Sequence, residues 1–198
     1  DVDPMERPAL DVRLALPFYP ALRQQMHDLQ PMVRFTIPHA GGALPARVFP
    51  TTLKDMPVYL IDGPPIAADP TVYGPDPRLL VEKFTFFSLA ALELTRQINW
   101  RPDILHAHDW HAALAVDALH RQRSSDLFFN GCRSALSLHN LPYMGADARQ
   151  TLADYGLSPS QEPRLPDWAR TLPLPMGLAV ADQIIAVSPT YAREILTP

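Results

Sequence analysis

The sequence predicts an α/β fold: a doubly wound, mostly parallel sheet with helices on both faces. Short β-branched and apolar runs alternate with helix-period segments along the chain. That alternation is what parallel strands joined by crossover helices require. One long segment, 78–99, carries apolar residues at three- and four-residue steps, the stripe of a core helix. The conspicuous polar residues Asp62, Asp109, His139 and Ser188 each fall just after a strand-like run. Ligands bind beyond the carboxyl ends of strands in open α/β sheets, so these four predict one shared rim.

Residues 12–16 read as a buried strand ended by Pro17. Residues 33–37 and 46–49 read as two shorter strands, a hairpin around Gly41-Gly42. Residues 58–61 form the next strand, and Asp62-Gly63-Pro64-Pro65 reads as a stop. In the helix 78–99 the stripe is Leu80, Phe84, Phe87, Ala91, Leu94 and Ile98. Phe86, Leu89 and Leu92 widen it, which predicts burial on two sides. Each large side chain so buried contributes about 1.5–3 kcal/mol.

Residues 104–107 read as a strand, and Asp109 is placed to N-cap a helix over 110–121. A strand over 134–138 follows, then a loop over 140–164 with one short helix near 148–155. Pro166, Pro173 and Pro175 break 165–180 into two short helices. Residues 183–187 form the last strand. Ser188-Pro189 then opens a helix, with a capping hydroxyl and a proline in its first turn.

The 198 residues suit one domain spanning 1–198, with 47% hydrophobic and 19% charged residues typical of a folded globular chain. A net charge of -4 argues against nucleic acid as a partner. The single cysteine, Cys132, permits no internal disulfide and points to a reducing compartment. Asp1-Val2-Asp3-Pro4 does not resemble a secretory leader, and no apolar run approaches the roughly 20 residues of a membrane span. The expected location is the cytoplasm.

The run His106-Ala107-His108-Asp109-Trp110-His111 invites a metal reading. On a strand, His106 and His108 point to one face and could share an ion. Metal-dependent hydrolases with a His-x-His-x-Asp-His string place the aspartate one position later, where Trp110 stands here. The competing reading has His106 and His108 tied into loop hydrogen bonds, and no metal.

Residues 101–114 (RPDILHAHDWHAAL) resemble a segment of bacterial glycogen synthases and plant starch synthases. Residues 11–20 (DVRLALPFYP), 58–62 (VYLID), 138–145 (LHNLPYMG) and 181–195 (ADQIIAVSPTYAREI) resemble further segments of that family, in the family's order. The resemblance implies a two-domain GT-B glycosyltransferase, with its site in the cleft between two Rossmann-like halves. This chain is then the acceptor-side half, a fragment lacking the C-terminal donor-binding domain. The implied reaction moves glucose from ADP-glucose or UDP-glucose to the non-reducing end of an α-1,4-glucan. Configuration is retained, without a cofactor or metal. A plant source implies the plastid stroma instead of the cytoplasm.

Position by position, the resemblance makes His139 the residue contacting the transferred glucose, with Asn140 beside it. It places Asp109 at the sugar and acceptor site next to Trp110, Tyr73 at the acceptor side, and Tyr143 as the loop aromatic. These residue types suit the chemistry. Glycosyl transfer develops positive charge on the sugar, which an oriented carboxylate or carbonyl dipole stabilises. Two departures stand out. The family's phosphate-wrapping Lys-Gly-Gly loop has no counterpart, and Pro175-Met176-Gly177-Leu178 lacks the family's lysine. The chain alone is therefore expected to be inactive. Two alternatives remain: a non-catalytic glucan-binding domain, and a metal-dependent hydrolase using His106, His108 and His111.

Overall fold

The computed structural model describes residues 10–26 and 28–197. Their strands form two sheets. The first has the order β1-β4-β3-β2, from β1 (Leu14–Pro17), β2 (Val33–Ile37), β3 (Leu44–Leu53) and β4 (Met56–Asp62). β1 and β4 are parallel, while β2, β3 and β4 form an antiparallel meander. The second sheet is wholly parallel, in the order β5 (Ile104–His108), β6 (Arg133–Leu138) and β7 (Gln183–Ala186). The expected α/β architecture is present, divided between two sheets. Among the described residues, β1 and β2 are the edge strands of the first sheet, and β5 and β7 those of the second.

β3 is longer than its apolar core suggests, because it runs through Pro45 and Pro50. β2 pairs only as far as Val48, so beyond that point one side of β3 is an edge, where proline is tolerated. Lys54 and Asp55 close the β3–β4 hairpin with φ of 49° and 67°, the positive values a tight two-residue turn needs. Two short helices were not expected. In α1 (Pro20–Gln25) and α2 (Pro64–Ala68) prolines occupy the first helical positions, including the Pro64-Pro65 pair that read as a stop; there their missing N–H has no helical partner to lose.

The long helix α3 (Pro77–Gln97) begins at Asp76, whose carboxylate accepts the Arg78 N–H at 2.8 Å. It serves both sheets. Val81 and Phe84 pack with Ala107, Trp110, Leu136 and Met176 in one core. Phe86, Phe87, Ala90 and Leu94 pack with Ala46, Val48 and Ile61 in another. The widened apolar stripe is thus used on two sides. α4 (Asp109–Gln122) lies between α3 and α6 (Pro173–Val180). α5 (Arg149–Asp154), a short 3-10 turn (Asp167–Ala169) and α7 (Pro189–Glu194) complete the order. The turn and α6 are the two short helices expected from the prolines.

Asp182, just before β7, fastens the second sheet at its amino end. It accepts from Arg123 at 2.5 Å, Arg133 at 3.1 Å, the Ser134 N–H at 2.9 Å and the Ser134 hydroxyl at 3.0 Å. Burial pushes its carboxyl up, but the hydrogen bonds from Arg123, Ser134 and Arg133 outweigh this and hold it well below the ordinary 3.8. Because the folded pKa is depressed, the stabilisation is complete above the ordinary value of 3.8 and is lost progressively as pH falls from there through the folded pKa. Asp182→Ala is expected to lower stability by about 1–3 kcal/mol at pH 7, and by less at pH 3. Urea unfolding at the two pH values measures the difference.

Candidate functional site

The register of β5 against β6 decides the geometry. His108 lies opposite Ser137, so the two strands end together and deliver Asp109 beside His139. His108 Nδ1 and His139 Nε2 are 3.0 Å apart. His106 stacks on His108 at 4.5 Å between ring centroids, and its Nε2 lies 2.8 Å from the Ser137 hydroxyl. The strand alternation thus puts both histidines on one face, tied into local hydrogen bonds. Burial, then the neighbouring His106 and His139, lower the His108 pKa below the ordinary imidazole value, so its ring is neutral at pH 7.

Asp109 is not the N-cap expected for α4. The cap position is His108, whose side chain makes no capping bond, and Asp109 is the first helical residue. Its φ is +52°, a left-handed conformation that aspartate tolerates better than most residues but that still costs about 1–3 kcal/mol. This conformation accompanies a carboxylate turned away from its own helix. Oδ1 accepts the backbone N–H of His139 at 2.8 Å and of Asn140 at 3.3 Å. The negative charge therefore fixes the backbone of the neighbouring loop as it leaves β6.

That loop is held from two further directions. The Leu141 N–H donates to the Tyr191 hydroxyl at 2.6 Å, and Tyr191 sits on α7, capped by Ser188. Gly145 has φ +84°, and a Cβ there would lie 2.9 Å from both Trp110 and Pro173. Only glycine lets the loop pass so close over the indole. Trp110 is 6% exposed, so its ring supports the loop from below. Asn140 and Tyr143 are exposed, and the Tyr143 N–H donates to the Asn140 carbonyl at 3.2 Å.

Tyr73 arrives from the segment before α3. It is 70% exposed, with its ring edge-on to His111 at 5.5 Å. His111 also packs against Phe84 at 4.6 Å and Trp110 at 4.4 Å. Burial lowers its pKa, and its Nε2 is buried without a hydrogen-bond partner. The structure thus connects Asp109, His139, Asn140, Trp110, Tyr73 and Tyr143 around the first turn of α4 and the loop after β6. Of the four predicted rim residues, Asp109 and His139 meet directly. Ser188 serves as a helix cap, and Asp62 is engaged by Arg23 at 2.7 Å and by Arg47. Tyr191 and the unpartnered His111 nitrogen belong to the site and were not anticipated. The sequence showed both residues but not what surrounds them.

His106, His108 and His111 do not converge: the first two stack beside β6, while the third is enclosed by aromatic rings. Among the described residues no group of three or more His, Cys, Asp or Glu is placed to hold a metal ion. No helix among them is long and apolar enough to cross a membrane.

Residues 4–198 match the family described as starch synthase catalytic domain. A glycogen synthase of Geotalea daltonii is 33% identical over 197 residues, covering 95% of this chain and 40% of the relative. A glycogen synthase of Aeromonas salmonicida is 34% identical over 198 residues, covering 94% and 40%. Among solved structures, the catalytic domain of starch synthase IV from Arabidopsis thaliana, bound to ADP and acarbose, matches with a TM-score of 0.74 and 25% identity. That match covers 94% of this chain and 40% of that one. The chain therefore spans about 40% of the length of the curated relatives it matches.

Proposed function

The chain belongs to the starch synthase catalytic domain family, and on that premise we propose that it forms the acceptor-side wall of a retaining glucosyltransferase site. The donor in this reading is ADP-glucose or UDP-glucose, and the acceptor is the non-reducing end of an α-1,4-glucan. A second, donor-binding domain supplies the groups that hold the nucleotide phosphates, so this chain alone does not turn over. The site needs no cofactor.

One observation carries the reading. A single carboxylate, Asp109, is hydrogen-bonded to the backbone that presents His139 and Asn140. As the leaving group departs, the sugar gains positive charge. A carboxylate already oriented by two N–H donors stabilises that charge without reorganising. The neighbouring imidazole and amide match sugar hydroxyls, each such bond contributing about 0.5–1.5 kcal/mol. Trp110 and Gly145 hold the loop's height, and Tyr143 and Tyr73 flank it with exposed rings.

The test is His139→Ala in the protein as its gene encodes it, assayed for glucose transfer to maltooligosaccharides. A fall in kcat/KM of about 10²-fold or more is expected. Circular dichroism should stay unchanged, because the ring lies at the exposed rim. Transfer within twofold of wild type counts against the assignment. Glucan binding by the wild type with no transfer from either nucleotide sugar favours the glucan-binding module instead.

A further inference from the structure

Lys83 and Asp69 form the most enclosed ion pair among the described residues. Lys83 is 0% exposed and Asp69 5%. The ammonium donates to Asp69 Oδ2 at 2.8 Å and to the Thr71 carbonyl at 2.7 Å, and it lies 3.4 Å and 3.5 Å from the carbonyls of Asp69 and Val72. Burying an ammonium carries a large desolvation penalty unless its donors are satisfied. Here a single short segment satisfies them, and that segment ends at Tyr73.

The rest of the segment closes on the same pair. Asp69 accepts from the Thr71 hydroxyl at 2.9 Å and from the Thr71 N–H at 3.4 Å. Gly74 passes so near that a Cβ there would lie 2.5 Å from both carboxylate oxygens. Residues 69–74 are thus wrapped around one ammonium and one carboxylate. Burial pushes the Asp69 carboxyl up, but the hydrogen bonds from Lys83 and Thr71 outweigh it and keep it ionised. Two rings flank the ammonium, Phe84 at 5.0 Å and Tyr19 at 5.7 Å. Phe84 is also the ring under Trp110 and His111. The same turn of α3 that holds the Tyr73 segment therefore supports the first turn of α4.

We propose that Lys83 and Asp69 are positioning residues that set where Tyr73 stands against His111, and so define the acceptor edge of the sugar site. The inference deepens the proposed function and rests on it. Tyr73 has few constraints of its own: its ring is exposed, and its contact in the site is the edge-on approach to His111. The ion pair converts that exposed ring into a fixed wall. His111 Nε2, buried and unpartnered, is the polar atom a sugar hydroxyl meets if that wall shifts.

The experiment compares Lys83→Met, Lys83→Arg and Asp69→Asn in the full-length protein. Tyr73 and His111 ring resonances are followed by NMR, and KM is measured separately for maltooligosaccharide acceptor and nucleotide-sugar donor. Lys83→Met should move both ring signals and raise the acceptor KM about tenfold, with the donor KM within about twofold. Lys83→Arg should recover most of the acceptor affinity, because it restores the buried charge. If Lys83→Met does not fold, Asp69→Asn keeps the carbonyl contacts and should raise the acceptor KM about threefold or more. An unchanged acceptor KM in a folded Lys83→Met or Asp69→Asn protein overturns the positioning role alone. Failure of the wild type to bind maltooligosaccharide overturns both this inference and the reading of the site.

Discussion

Asp109→Asn is expected to lower glucose transfer by about 10²–10³-fold while leaving the fold intact. Asparagine tolerates the left-handed φ of +52°. Its amide oxygen can still accept the N–H groups of His139 and Asn140. The loop scaffold therefore survives, and what is removed is the negative charge that the proposed sugar site presents. Two further variants separate charge from scaffold. Asp109→Ala removes the one oxygen that accepts both N–H groups and keeps a Cβ in a conformation costing about 1–2 kcal/mol. Asp109→Gly removes the same oxygen and relieves that strain. Glycine should thus be the more stable of the two by urea unfolding, and no more active. Maltooligosaccharide affinity should fall by less than tenfold in the asparagine variant, because hydrogen bonding to hydroxyls is retained. Transfer by Asp109→Asn within threefold of wild type would mean that the carboxylate is only a loop fastener.

The legible parts of this molecule are those set by local pattern. The period-3.6 stripe fixed α3 and its two-sided burial, since Phe84 and Phe86 necessarily point into different layers. β5, β6 and β7 were readable as apolar runs each followed by a polar residue. What local pattern does not carry is partner choice. Asp109 looked like a cap because aspartate before a helix usually bonds its own first turn; its actual partners lie 30 and 31 residues away. The prolines at 64–65 looked like a stop, because a proline that ends a strand and one that starts a helix carry the same local signal. Lys83 sits on an apolar helix face with nothing nearby in sequence to explain it. Its carboxylate comes from 14 residues earlier, in an irregular segment. The division into two sheets was likewise invisible, because periodicity identifies strands without saying which edges pair.

Phe86→Ala should lower stability by about 3–5 kcal/mol, a large share of the 5–15 kcal/mol that holds a typical domain folded. Phe86 is 0% exposed, and its cluster joins Ala46, Val48 and Ile61 of the first sheet to Ile66 of α2. The strands behind it are fixed by their ladders. The truncation therefore leaves a cavity rather than a collapse. Urea unfolding should show a lower midpoint at unchanged slope, and a loss below about 1 kcal/mol would show that the core relaxes into the gap. Phe84, two residues earlier, supplies the contrast. Its ring packs on Trp110 at 5.0 Å and on His111 at 4.6 Å, directly under the site. Phe84→Ala should therefore weaken maltooligosaccharide binding as well as stability. Phe86→Ala, assayed where it remains folded, should bind within twofold of wild type. A matched loss of affinity in both variants would mean that the helix transmits strain from one sheet to the other, and that the site is not insulated from the first sheet's core.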